Sequence, residues 1–285
     1  MLKEYYFAGV GISVDIPDDI MYEEDRRMAP FRVEKNDASH RFTFRLAEHL
    51  DAPAGPVVTV QPGFRVYRDA GWELRYFGSV QERWEPAYAR AAHKGEEHFV
   101  QLKADAFPGK VATTVVLNAL AAEHLIAEAG GVVLHSSFVE WNGKAILFTA
   151  PSGTGKSTQA ELWRSLRSAG IINGDRAAIH ILDGVPYACG IPFAGSSQYS
   201  ENRELPLAAV VYLAQAPVTT ITRLKGYAAF ARIWEGCSVN TWSSEDMERS
   251  SGLVSRIAGT VPVYELACTP DESAVAALEN ALKGE

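Results

Sequence analysis

The sequence predicts an α/β (α+β) fold in which a mixed sheet carries a glycine-rich loop and flanking helices, preceded by a β-rich N-terminal region. Three observations support this reading. An apolar run, Ala145, Ile146, Leu147 and Phe148, leads into residues 150–158, Ala-Pro-Ser-Gly-Thr-Gly-Lys-Ser-Thr, and a helical pattern leads out. Asn142-Gly143 sits between apolar, β-branched runs at 131–141 and 144–149, the signature of a two-residue hairpin. The strand before the loop is thus entered by a tight antiparallel turn, and the sheet is at least partly antiparallel. Residues 1 to about 105 alternate apolar and polar side chains between short turns. The expected division is a β-rich region at 1–105 and a loop-bearing domain at 106–285.

Composition narrows the function classes. The chain has 285 residues, 47% of them hydrophobic, enough for one large core or two ordinary ones. A formal net charge of −8 argues against nucleic acid or an anionic membrane as the main partner. Cys189, Cys237 and Cys268 are widely spaced and odd in number, which suggests neither a disulfide framework nor a metal cluster and points to a reducing, cytoplasmic setting. Met1-Leu2-Lys3-Glu4 leads into no long apolar run, so no secretory signal is expected, and no apolar stretch approaches membrane-spanning length.

Taken in order, Phe64 to Arg68 and Trp72 to Tyr76 flank Asp69-Ala70-Gly71 and predict a hairpin; Tyr88 to Ala92 and Glu97 to Leu102 predict a second. Residues 110–129 read as one helix, ended by Gly130-Gly131, with His124 packed or exposed on it. The hairpin at 131–149 follows. A helix from Lys156 to Arg167 buries Ala160 and Trp163 and stops at Ala169-Gly170. A short strand at 171–175 and a hairpin around Asp183-Gly184 come next. The tail alternates strands at 219–224 and 261–267 with helices at 227–234 and from Ser243 to about Ile257. A final helix is expected with Thr269 as N-cap, Pro270 at the first position and Asp271 and Glu272 in the first turn.

Residues 150–158 carry the chemistry. Ser152, Gly153, Thr154, Gly155, Lys156, Ser157 and Thr158 match a phosphate-binding P-loop, except that Ala150 stands where the full motif has glycine. Glycines let successive N–H groups point at phosphate oxygens, and the helix adds its positive end. Lys156 can reach β- and γ-phosphates, and Ser157 can ligate Mg²⁺. A tight glycine-rich turn is the plain alternative.

Register arithmetic adds a second group. Partners in a two-residue hairpin have a constant sum, so with Trp141 facing Lys144, His135 faces Ala150. His135 is then a candidate for proton transfer or charge stabilisation, or else a histidine bonded into a sheet, while Ser136 and Ser137 read as structural. Asp175 ends the strand after the loop's helix. If that strand is a parallel neighbour of the one before the loop, Asp175 reaches the same edge and can hold Mg²⁺ or accept a hydroxyl proton; otherwise it is a turn aspartate. The second hairpin pairs Asp175 with Pro192, which hangs residues 190–197 over the same site. Arg203 is either a clamp for a transferring phosphoryl group or an exposed arginine.

From Leu134-His135 to Arg176 the chain resembles the catalytic core of HPr kinase and HPr-kinase-related proteins, which share a fold with phosphoenolpyruvate carboxykinase. That family has a histidine on the strand before the P-loop and an acidic segment after the loop's helix; His135, Lys156, Ser157 and Asp175 match those elements. The group includes kinases found with peptide-tailoring machinery. The resemblance implies ATP and Mg²⁺ as cofactors, Ser157 and Asp175 at the metal, His135, Lys156 and Asp175 as catalytic groups, and a hydroxyl of a peptide or small protein as acceptor. A small-molecule kinase and a non-catalytic nucleotide sensor are the alternatives. HPr kinase forms hexamers, so homo-oligomerisation is an expectation too. HPr kinase has two adjacent aspartates where this chain reads Gly174-Asp175, which leaves the base role to Asp175 or His135, and its loop serine precedes glutamate where this chain has Thr158.

Overall fold

A computed structural model describes residues 1–34, 37–78, 83, 85 and 87–284. The chain forms two compact units, Met1–Ala122 and Glu123–Glu285. The division falls later than the expected one after residue 105.

Unit 1 is built from short strands. They are β1 (Leu2–Phe7), β2 (Val10–Asp15), β3 (Met21–Glu23), β4 (Arg32–Val33), β5 (His40–Ala47) and β6 (Val57–Gln61). Then come β7 (Phe64–Asp69), β8 (Trp72–Gly78), β9 (Ala87–Lys94), β10 (Glu97–Lys103), β11 (Lys110–Ala112) and the helix α1 (Thr113–Ala119). Nine strands form one sheet in the order β4-β1-β2-β5-β10-β9-β8-β7-β6. Both expected hairpins are present: Asp69 faces Trp72 across Ala70-Gly71, and Lys94 faces Glu97 across Gly95-Glu96.

The single helix expected over 110–129 is not formed. Lys110–Ala112 pair with β3, α1 follows, and α2 (Ala122–Glu128) starts only after a break at Ala121. Ala121 has φ 53, a left-handed conformation that no α-helix continues through.

Unit 2 continues with β12 (Val132–Trp141), β13 (Lys144–Thr149), α3 (Lys156–Arg167), β14 (Gly170–Asn173), β15 (Arg176–Leu182), β16 (Val185–Gly190) and β17 (Glu204–Gln215). It ends with β18 (Thr220–Leu224), α4 (Gly226–Gly236), β19 (Cys237–Ser238), α5 (Ser244–Thr260), β20 (Val263–Cys268) and α6 (Glu272–Lys283). The sheet is mixed, in the order β13-β12-β15-β16-β17-β20-β18, with β13 also pairing with β17 in parallel. Asn142 and Gly143 take φ 51 and 73, the turn their residue types favour, and Trp141 faces Lys144 as the hairpin arithmetic requires.

The strands at the centre are buried on both faces, so they read as continuous apolar runs. One face, with Leu134, Phe138, Leu147 and Val210, packs on Ala229 and Ile233 of α4 and Val254 and Ile257 of α5. The other face, with Ile146, Phe148 and Val211, packs on Trp163 of α3 and Val275 and Leu278 of α6. Trp163 is fully buried and meets Trp141 edge-on at 5.1 Å.

Three local expectations are corrected. α3 ends at Ser168, which takes φ 53, and Gly170 already belongs to β14. The cap of α6 is Asp271, not Thr269: its carboxylate accepts from Ser273 N–H, while the Thr269 hydroxyl hydrogen-bonds that carboxylate. β14 is also no neighbour of β13. Both strands pair antiparallel with β12, which lies between them, so they run parallel one strand apart and the α3 connection crosses over β12. Among the described residues, no helix is long and apolar enough to cross a membrane.

Candidate functional site

The site forms where both neighbours of β12 let go of it at the same rung. On one edge the last pair with β13 is Ser136–Thr149, after which the chain leaves into the loop. The Thr149 hydroxyl donates to His135 O at 3.0 Å, which holds the start of the loop beside His135. On the other edge β14 ends at Asn173 and β15 starts at Arg176, opposite His135. Between them, Asp175 O accepts from Ser136 N–H at 2.9 Å. The loop and the acid therefore flank one point on β12.

The loop needs glycine at two positions. Gly153 has φ 79 and Gly155, the N-cap of α3, has φ 125. A Cβ at either would meet no atom, so the requirement lies in the backbone alone. Ala150 is not among the residues with positive φ, and alanine satisfies that position. Lys156 opens α3 with only 8% of its surface exposed, and its Nζ donates to Ala150 O at 2.9 Å and Pro151 O at 3.3 Å. Burial pulls the ammonium below its ordinary pKa, and the Asp175 carboxylate opposes that shift. Ser152, Gly153, Ser157 and Thr158 are exposed and Thr154 is half-buried. A helix N-terminus beside a desolvated ammonium attracts an anion.

His135 Nε2 lies 3.2 Å from Asp175 Oδ1. That hydrogen bond is the chief reason the carboxyl sits below its ordinary pKa; desolvation opposes it, and the positive charges of Arg176 and Lys156 add to it. An ionised carboxylate against an imidazole can orient the ring, share a proton with it, or hold a cation.

Two side chains that sequence reasoning did not single out position this acid. Asn173 is fully buried; its Oδ1 accepts from Asp175 N–H at 2.9 Å and Arg176 N–H at 3.0 Å, and its Nδ2 donates to Ile191 O at 2.8 Å. This Asx turn fixes the backbone at Asp175, and the Asn-Gly-Asp string was its only sequence signal. Arg176 lies 3.5 Å from Asp175 Oδ2 and 3.2 Å from Glu123, so its charge reaches the site.

The loop at 190–197 packs on the acid, as the second hairpin's register requires. A Cβ on Gly195 would lie 2.8 Å from the Asp175 carboxyl carbon, and a Cβ on Gly174 would strike Ser197 Oγ at 2.2 Å. Gly174 is thus a packing requirement, and a second carboxylate there would displace Ser197. Ser157, Glu161, Asp175, Ser197 and Tyr199 line a cavity of about 300 Å³. Gly153, Thr154, Thr158, Gln215, Cys268 and Thr269 line a larger one of about 610 Å³.

The structure brings His135, Lys156, Ser157 and Asp175 to one place. It does not bring Arg203 there. Both terminal guanidinium nitrogens of Arg203, Nη1 and Nη2, donate to Glu140, at 2.5 and 2.9 Å. Glu140 is five residues along β12 from His135, about 17 Å at strand spacing. His124 lies 3.0 Å from both oxygens of the buried Asp246, which also accepts from Asn240.

The family described as SynChlorMet cassette protein ScmC matches residues 111–282, well over half of the chain. The chain belongs to that family. No curated protein matches the sequence. A solved structure, described as the Hpr(Ser) kinase/phosphatase from Coxiella burnetii, is 8% identical over 53% of this chain and 94% of its own, with a TM-score of 0.32.

Proposed function

We propose that this protein is an ATP-dependent kinase that transfers phosphate to a hydroxyl, serine or threonine, of a peptide or small protein. One observation carries the reading: the His135–Asp175 pair and the Lys156 loop converge on the same rung of β12. A carboxylate alone would serve a bound metal, whereas an imidazole bonded to it beside the loop supplies a group that can take a proton.

The larger cavity, on the Thr154–Thr158 side of the loop, has room for a nucleoside, and the smaller one for an acceptor side chain. Ser152, Gly153, Thr154, Gly155 and Thr158 would surround the phosphates, and Lys156 would turn from the carbonyls of Ala150 and Pro151 to the β/γ-oxygens. Ser157 and Asp175 face the smaller cavity together and offer hard oxygen donors, one of them held ionised, which suits Mg²⁺. Mg²⁺ bound there would supply charge neutralisation at the phosphates. The acceptor hydroxyl would lie against the His135–Asp175 pair, which orients it and takes its proton.

The test is purified protein with labelled ATP and Mg²⁺ against a panel of serine- and threonine-containing peptides. Transfer to a hydroxyl is expected. Tight ATP binding with no turnover on any peptide or metabolite would replace this reading with a nucleotide sensor, which the single carboxylate at Gly174-Asp175 otherwise favours.

A further inference from the structure

Cys189, near the end of β16, faces Glu204 at the start of β17. On its other edge β16 pairs with β15, where Ala178 faces Cys189 and His180 lies two residues on. The strand period of two puts His180 on the same face of the sheet as the other two side chains. One ligand atom from each of the three lies within 4.8 Å of the others. His180 Nε2 is 3.2 Å from Glu204 Oε1, and Cys189 Sγ is 3.6 Å from Glu204 Oε2. His180 Nε2 is buried and makes no hydrogen bond, so its approach to the carboxylate is one of distance and not of hydrogen-bond alignment.

The two separations reach different oxygens of Glu204, and a turn of its carboxylate brings one oxygen toward both the imidazole and the thiol at spacings close to those of a coordination tetrahedron. A zinc ion with Zn–N and Zn–O of about 2.0 Å and Zn–S of about 2.3 Å sets N···O at about 3.3 Å and S···O at about 3.5 Å. The donor set suits a divalent cation, because a thiolate and a carboxylate neutralise it and the imidazole adds a neutral donor. Cys189 is buried while the Glu204 side chain is 40% exposed, which leaves an entry path and room for a water as fourth ligand.

We infer that His180, Cys189 and Glu204 form a tetrahedral site for a zinc-type divalent cation. Cys189 and Glu204 stand at the two ends of the 190–203 segment that packs on Asp175, so the bound ion ties the base of that segment.

The experiment uses the full chain stripped with a chelator and titrated with Co²⁺ as an optical probe, then with Zn²⁺. One equivalent of Co²⁺ is expected, with a thiolate-to-cobalt charge-transfer band and the intensity of a tetrahedral site, displaced by Zn²⁺. Zn²⁺ should also raise the thermal midpoint. Cys189→Ser should remove the band and Glu204→Gln should weaken Co²⁺ binding roughly tenfold or more, each checked for folding by circular dichroism. Cys237→Ser and Cys268→Ser should keep it. No uptake by folded wild type, an octahedral spectrum without the thiolate band, or a band that survives Cys189→Ser overturns the site.

Discussion

In unit 1, His40, His98 and His93 sit on β5, β10 and β9 and are 7, 2 and 6% exposed. They form a chain: His40 Nδ1 is 3.1 Å from His98 Nε2, and His93 Nδ1 is 3.1 Å from His98 Nδ1. His98 stacks on Phe42 at 4.1 Å. In unit 2, the side chain of His135 is 37% exposed and bonds one carboxylate beside a loop that opens to solvent. The residue type is the same and the placement is opposite. A buried histidine whose two nitrogens both meet other rings holds strands together, whereas a half-exposed one at a strand junction is available to a solute.

The largest expected effect is Lys156→Ala. Losing the one buried ammonium under the loop should lower kcat/KM by about three orders of magnitude or more and weaken ATP binding as well, measured by kinetics and calorimetry. His135→Ala should lower kcat by about 10²–10⁴-fold with ATP affinity nearly kept. Full activity would place His135 with the structural histidines of unit 1.

His98→Ala should do the reverse. It removes a buried partner of two rings and should cost about 1–3 kcal/mol of stability, read by denaturant unfolding, with transfer unaltered in the folded fraction. A fourth test uses pH. The Asp175 carboxyl lies below its unfolded pKa, so it contributes stability above that unfolded value and loses it as pH falls through the folded one. The stability difference between wild type and Asp175→Asn should therefore be constant near neutrality and shrink from about pH 4 downward. The smallest effect is Arg203→Ala, which breaks only the exposed pair with Glu140: about 0–1 kcal/mol of stability, and kcat unchanged. A large loss of kcat would return Arg203 to the site.

What could be read from sequence depended on how local the determinant was. The Asn142-Gly143 turn sets the β12–β13 register by itself, so the place of His135 beside Ala150 followed from counting. The second hairpin did the same for the 190–197 loop and Asp175. α3 began at Lys156 because the loop glycines and the amphipathic Ala160–Trp163 pattern agree. The misses were tertiary. Ala121 carries no sign that it will adopt a positive φ and split the 110–129 pattern. Arg203 found Glu140 through strand pairing. Gly174 stands where a second carboxylate is expected because Ser197 occupies its Cβ position, a contact across two loops that no local pattern marks. His180, Cys189 and Glu204 come from three strands, with no spacing that sequence alone would connect.

The central claim is that the pair over the loop performs chemistry and does not merely accompany binding. Asp175→Asn keeps the side chain's size and removes its charge. Measured side by side, its Kd for ATP without Mg²⁺ should stay within about threefold of wild type while the rate of phosphoryl transfer at saturating Mg²⁺ falls by about 10²–10⁴-fold. A transfer rate equal to wild type, or a loss accounted for wholly by weaker ATP binding, would contradict the account.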